Sequence, residues 1–257
     1  MDAPNPGTLF VGTQVIRLPE VDSTNSYALR MIRSTNVQEG LVVRADHQTN
    51  GRGQRGAEWQ GEKGKNMACT IVLKPGFLSP EMQFDLNRAV SLAVTDLFHS
   101  HFPLMKMKIK WPNDIYVSGK KIGGILIENI VSGNTWQHSV IGIGLNLNQE
   151  KFPVELPDAI SVFQLTGAET DQNEVYALLY SSIEARYLQL KAGKSEKLRE
   201  EYDALLFRKE EETRFTDFKT VFIGKIKSVS AEGKLVIQKE SGEENSYYFK
   251  EIAMILK

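Results

Sequence analysis

The sequence predicts an α+β fold: a mostly antiparallel sheet with flanking helices, followed by a small C-terminal β-barrel. Three observations predict it. Between residues 105 and 150, strand-like segments follow one another across short Ser-Gly turns, the pattern of an antiparallel meander. Apolar residues at 86, 89, 90, 93, 94, 97 and 98 recur at helical spacing. From residue 213 the chain holds only short strands separated by Gly and Ser turns.

The elements follow in order. "TQVIRLPEVDSTNSYALRMIRS" reads as strand, turn and helix, with Asp22, Ser23, Thr24 and Asn25 at the helix start. Short side-chain oxygens there accept the orphan backbone N–H bonds of the first turn. "GLVVRADHQ" reads as a buried strand entering a glycine-rich loop, and "NMACTIVLKP" as the next strand, closed by Pro75 and Gly76. The helix over 85–102 comes next. Three strand-like segments then succeed one another: "MKIKWPNDIYV", "KKIGGILIENIV" and "QHSVIGIGLNLN". "NEVYALLYSSIEARYLQLKAG" and "SEKLREEYDALLF" read as two more helices meeting at Gly193. The charged stretch "RKEEETRF" precedes the barrel, which places a domain boundary between residues 212 and 213.

Bulk composition excludes several classes of function. The net charge of −1 gives no basic excess for nucleic acid. The N-terminus lacks the basic and apolar regions of a signal peptide, and no long apolar run suggests a membrane span. One cysteine, Cys69, cannot form an intrachain disulfide and reads as a small buried hydrophobe. A cytoplasmic location is expected, without nucleic-acid or membrane partners.

"NGRGQRGAEW" contains G-x-G-x-x-G at Gly51, Gly53 and Gly56. A dinucleotide fingerprint also needs a helix directly afterwards and an acid about 20 residues on. Neither is present, so the stretch does not read as an NAD site. Glycines let backbone approach a ligand closely, and Arg52 and Arg55 carry planar forks suited to phosphate or carboxylate. Trp59 adds an aromatic face. The alternative is a solvated turn. "KIKWPNDIYV" puts Lys108 and Lys110 on one face of a strand and Pro112 after an extended Trp111. "KKIGGILIE" and "GIGLNLN" place glycines inside strands, where a ligand, another backbone or a bulge can explain them.

Five stretches appear in the order found in biotin–protein ligases: D-S-T-N at 22–25, Q-T-N-G-R-G-Q-R-G at 48–56, K-W-P-N-D at 110–114, G-G-I-L-I-E at 123–128 and G-I-G-L-N at 142–146. The chain resembles that family over residues 15–150, and more weakly over the barrel. The resemblance implies a mixed catalytic sheet like that of class II aminoacyl-tRNA synthetases and an SH3-like C-terminal domain. It implies that biotin and MgATP give biotinyl-5′-AMP, whose biotin passes to a lysine on the biotin carboxyl carrier domain of a carboxylase. By resemblance, Lys110 bridges the biotin carboxylate and the α-phosphate as a fixed charge. Arg52 and Arg55 help offset the repulsion between those anions.

The same resemblance assigns biotin to Ser23, Thr24, Asn25, Gln48, Gly51, Arg52, Lys110, Gly123, Gly124, Ile125, Gly142 and Gly144. It assigns the adenylate to Arg52, Gly53, Gln54, Arg55, Gly56, Trp59, Lys110, Asn113 and Asn146. Asn113 and Asp114 serve either magnesium or only the turn. No resident protein metal site is expected. Some members carry Arg where Gln54 stands, so weaker retention of the adenylate is expected. Barely 20 residues precede "VDSTN", fewer than a DNA-binding winged helix needs, so a ligase rather than a repressor is expected, with a homodimer open. Lipoate ligases carry a different glycine loop. His99, His101 and His47 lack the partners of a metal site or triad.

Overall fold

A computed structural model describes residues 7–133 and 135–256, apart from the side chain of Arg55. A seven-stranded sheet runs in the order β1-β2-β3-β7-β6-β5-β4. Its strands are β1 Val15–Leu18, β2 Val42–Ala45, β3 Met67–Leu73, β4 Met107–Lys110, β5 Asp114–Val117, β6 Lys120–Ser132 and β7 Thr135–Leu145. Among the described residues, β1–β2 is the one parallel pair of strands in this sheet, and it is bridged by helix α1, Thr24–Ser34. The sheet is therefore mixed and mostly antiparallel, as the sequence predicts.

One expectation needs correction. "MKIKWPNDIYV" is not one strand but a hairpin, with β4 paired to β5 so that Lys110 faces Asp114. Trp111, Pro112 and Asn113 form its turn, and the Trp111–Pro112 peptide is cis. The restriction a proline puts on its predecessor did not specify a turn. At the next connection Ser118 and Gly119 both take positive φ, the geometry of a tight hairpin turn.

Side chains alternate between the two sheet faces. On one face Ile71, Ile141, Ile143 and Ile125 pack with the helices α2, Gln83–His101, and α4, Gln172–Lys191, in the main core. All seven apolar positions predicted on α2 are buried, but so are Asp85, Arg88, Ser91 and Thr95, so this helix is enclosed nearly all round. On the other face α1 covers Val72 and Val140 with Ala28. Ser23 caps α1 by accepting from the Ser26 amide. A short helix α3, Val162–Thr166, had no periodicity long enough to predict it. Helix α5 spans Ser195–Ala204 and meets α4 at Gly193, whose φ is +76°.

A second sheet is wholly antiparallel, in the order β11-β10-β9-β8-β12. It contains β8 Thr213–Thr216, β9 Val221–Val229, β10 Leu235–Lys239, β11 Glu244–Tyr247 and β12 Ala253–Ile255. Its turn over 230–234 docks on α2. Arg88, wholly buried, pairs with Asp85 at 2.7 Å and donates to the carbonyls of Val229 at 3.0 Å and Ser230 at 2.5 Å. Trp111 Nε1 donates to the Gly233 carbonyl at 3.0 Å. Gly233 has φ +89°, and a Cβ there would lie 2.4 Å from the Phe84 ring.

Candidate active site

Glycine makes the floor of the site. On the α1 face, register aligns Lys110, Asp114, Gly124, Gly144 and Ala68 in one row across five strands. The neighbouring row on that face carries Leu126, Gly142 and Thr70. Without side chains at 124, 142 and 144, the sheet lies bare between α1 and the β4–β5 turn. The trough is a cavity of about 350 Å³, within the usual range for small-molecule sites.

Other groups use that bare space. Trp59 lies over it: a Cβ on Gly144 would be 2.4 Å from Cε2 of its indole. A Cβ on Gly142 would be 2.5 Å from Asn25 Oδ1. The glycine loop crosses above, held by the Trp59 amide donating to the Gly51 carbonyl at 2.9 Å and the Gly53 amide to the Ala57 carbonyl at 2.7 Å.

One end of the trough is a polar chain. Gln48 Oε1 accepts from the Thr24 amide at 2.8 Å and its hydroxyl at 3.1 Å. Thr70 Oγ1 lies 2.8 Å from Thr24 Oγ1 and 2.6 Å from Asn25 Oδ1. Asn25 Nδ2 donates to Glu128 at 2.9 Å, and Glu128 takes both terminal nitrogens of Arg52 at 2.7 and 3.2 Å. The backbone of the loop and the first turn of α1 are thus tied to β6 by a carboxylate.

The other end is cationic. Lys110 donates to the Tyr116 hydroxyl at 3.3 Å and lies over its ring. Burial pushes the Lys110 ammonium below the usual lysine range; Asp114 and Asp158 oppose this, and Lys121 adds to it. Lys121 and Asp114 form an ion pair at 2.6 Å. Phe215 and Met254 of the second sheet, with Phe249 and Ile252 from the turn between β11 and β12, close this end.

Ser23, Thr24, Asn25, Gln48, Arg52, Gly53, Gln54, Trp59, Lys110, Asn113, Gly124, Ile125, Gly142 and Gly144 all line the cavity. Gln54 Oε1 is buried there without a hydrogen-bond partner. Gly51 does not line it but supports the loop under Trp59, and Gly56 stands at the end of the loop's short helical turn. The side chain of Arg55 lies outside the described residues. Gly123 faces the helical core, where a Cβ would meet Leu145 at 2.5 Å. Ile125 is 2% exposed and belongs to that same core. Asn146 is also turned away: its amide donates to the Ile160 carbonyl at 3.1 Å. The Asn113 side chain donates to the Ile125 carbonyl, which fixes the hairpin turn to β6.

Sequence reasoning missed Glu128 and Lys121, each inside a motif it quoted, because neither shows its partner in one dimension. It also missed the apolar wall from the second sheet. Cys69 is buried, and burial pushes its thiol up to about 12. Among the described residues no three His, Cys, Asp or Glu side chains gather as a metal site, and no helix is long and apolar enough to cross a membrane.

Comparison with known proteins identifies the family. The model of the biotin/lipoate A/B protein ligase family matches residues 18–146. The bifunctional ligase/repressor BirA of Bacillus subtilis is 30% identical over 244 residues, which cover 93% of this chain and 74% of that protein. The biotin–[acetyl-CoA-carboxylase] ligase of Paracoccus denitrificans is 36% identical over 175 residues, covering 63% of this chain and 68% of that one. The biotin protein ligase of Aquifex aeolicus, solved with biotin and ATP, superposes with a TM-score of 0.80 at 27% identity, covering 95% of this chain and 99% of that one.

Proposed function

Since the chain belongs to the biotin/lipoate A/B protein ligase family, we infer how its trough performs the ligase reaction. The protein is an ATP-dependent biotin–protein ligase, a biotin–[acetyl-CoA-carboxylase] ligase that uses biotin and ATP. The observation that carries the residue assignment is the row from Lys110 to Gly144, where a half-buried cation ends a glycine floor.

Biotin lies on Gly124, Gly142 and Gly144, with its ring system toward Ser23, Thr24 and Gln48 and its carboxylate toward Lys110. Asn25 and the backbone at Gly51 and Arg52 complete that half. The adenylate lies beside Trp59 under Gly53, Gln54 and Gly56. A carboxylate oxygen attacks the α-phosphorus, and pyrophosphate leaves with the electron pair of the broken bond. Both reactants are anionic, so preorganised cations lower the barrier. Lys110 does this as a fixed charge: burial depresses its pKa, but two anions beside it favour the ammonium. Arg52, held in place by Glu128, is the second cation, and Arg55 the third. The loop and Trp59 exclude water from the acyl phosphate. The ε-amine of a carrier-domain lysine then attacks the acyl carbon and AMP departs.

Asn113, at the hairpin turn, and Ile125 line the cavity and, with Gly123, brace its floor, and Asn146 fixes the end of β7. Magnesium suits the donor set, because it is held by one or two carboxylates together with substrate phosphates. Asp114 would share it, and bound magnesium would screen the phosphate charge. We divide the chain into a catalytic unit, 1–212, and an SH3-like unit, 213–257. The carrier domain of a biotin-dependent carboxylase is the protein partner. The cytoplasm is the compartment, and nucleic acid is not a partner. β1 is an edge strand of the sheet, a position that suits a homodimer.

The test is to incubate the protein with MgATP and either biotin or lipoate and identify the acyl-adenylate by mass spectrometry. Biotinyl-AMP is expected from wild type, and Lys110→Ala is expected to lose it. Lipoyl-AMP instead would move the substrate assignment to the sister ligases. An undiminished Lys110→Ala would remove that residue from the chemistry.

A further inference from the structure

Lys121 is placed in the trough by an irregularity of the sheet. Along β6, Gly124, Leu126 and Glu128 face the site, so regular alternation would send Ile122 there and Lys121 into the core. The register against β5 shifts: Ile115 pairs with Gly123, but Tyr116 pairs with Lys121, which leaves Ile122 as an extra residue. A bulge of this kind re-aims side chains. Ile122 is accordingly wholly buried in the helical core, while Lys121 lines the cavity. A Cβ on Gly124 would lie 3.5 Å from Lys121 Nζ and 3.5 Å from the Trp59 ring, so the ammonium shares the floor with the indole.

The pair that holds Lys121 is exchangeable. Lys121 is 35% exposed and Asp114 27% exposed, and part-exposed pairs are weak. A biotin carboxylate and a nucleoside triphosphate together carry more negative charge than Lys110, Arg52 and Arg55 offset. Lys110 and Lys121 flank Asp114 on adjoining strands, close enough for the Lys121 charge to disfavour the Lys110 ammonium. Two cations so close serve a polyanion better than a single carboxylate.

We propose that Lys121 is a second phosphate-binding lysine: it exchanges Asp114 for the β- and γ-phosphates of ATP and stabilises the departing pyrophosphate. The bond from the α-phosphorus to the bridging oxygen breaks, and that oxygen keeps the electron pair opposite the Lys121 ammonium. When pyrophosphate leaves, Lys121 returns to Asp114, so the trough holds no unpaired cation while biotinyl-AMP waits for the carrier.

This rests on the ligase mechanism above and concerns only its first half. The test compares wild type, Lys121→Ala and Lys121→Arg in full-length protein. It measures the ATP dependence of biotinyl-AMP formation, the pyrophosphate-driven reversal to ATP, and the binding of supplied biotinyl-AMP by calorimetry. Lys121→Ala is expected to raise the KM for ATP about tenfold or more and to slow the reversal, since charge-assisted contacts to phosphate are the strong ones. Its affinity for biotinyl-AMP is expected to stay within about twofold of wild type, and Lys121→Arg to recover most of the loss. An unchanged KM for ATP in Lys121→Ala overturns the proposal. So does a parallel loss of biotinyl-AMP binding, which would assign Lys121 to the shape of the trough. A wild type that makes no biotinyl-AMP overturns the ligase mechanism and this inference with it.

Discussion

Lys110 shows how burial and function pull one group in opposite directions. Burial depresses its ammonium, so protonation is lost at a lower pH than for an exposed lysine. Anion binding needs the protonated form. Biotin affinity is therefore expected to fall as pH rises through that lowered pKa, and titration calorimetry across the alkaline range checks it. Lys110→Arg, which stays charged, is expected to flatten the profile. Stability without ligand has the opposite sign. In the window between the lowered pKa and the ordinary lysine value, the unfolded chain binds more protons than the folded one, so stability rises with pH there. A biotin affinity independent of pH would mean that Lys110 is not the group facing the carboxylate. Glu128 is the other lesson at this scale. A carboxylate beside an anion site looks misplaced in the sequence, yet its two bonds to Arg52 hold the loop in register.

At the scale of the element, adjacent glycines on β6 have different duties because a strand turns successive residues to opposite faces. On the trough side, Gly144→Ala would push a methyl group to 2.4 Å from the Trp59 indole. Its main effect is expected on the ligand: about tenfold weaker biotin binding, equivalent to ~1.4 kcal/mol. Gly123→Ala would press on Leu145 and the Gly144 carbonyl, inside the core. It is expected to lose ~1–3 kcal/mol of stability, the usual cost of overpacking, with a smaller change in biotin affinity. Urea unfolding and biotin titration of both variants separate the two; equal effects on both readouts would contradict the facing deduced from register. The motif G-G-I-L-I-E was legible as a unit, but which of its glycines lies on the trough side depended on the register of β6 against β7 and β5.

For the whole molecule, the site is built where two sheets meet. The first supplies the floor and the cations, and the second, with the turn between β11 and β12, closes the end with Phe215, Phe249, Ile252 and Met254. Arg88 holds them together through Asp85 and the carbonyls at 229 and 230. Arg88→Ala is expected to destabilise the protein by ~3–5 kcal/mol, because it removes a partner from the buried Asp85. Limited proteolysis is expected to begin between residues 208 and 220, where the chain passes from one sheet to the other. An unchanged unfolding midpoint would show that the barrel does not depend on this anchor. Trp111 shares the interface through Gly233, so a loosened barrel also frees the turn that carries Lys110.

The sequence by itself determined most of the elements, apart from the β4–β5 hairpin and α3, and named fourteen of the residues that line the trough. Period and turn chemistry are local properties, and the five stretches carrying Ser23 to Asn25, the glycine loop, Lys110, the paired glycines and Gly142 to Asn146 each announce themselves over a few residues. Tertiary structure alone decided the rest. Whether Gly123 or Gly124 lies on the trough face, that Asn146 turns toward Ile160, that Glu128 holds Arg52 and that Lys121 enters beside Lys110 all follow from strand register and from pairings across many residues. A one-residue shift exchanges the two faces of a strand, and nothing local in the chain records which register its neighbour will adopt.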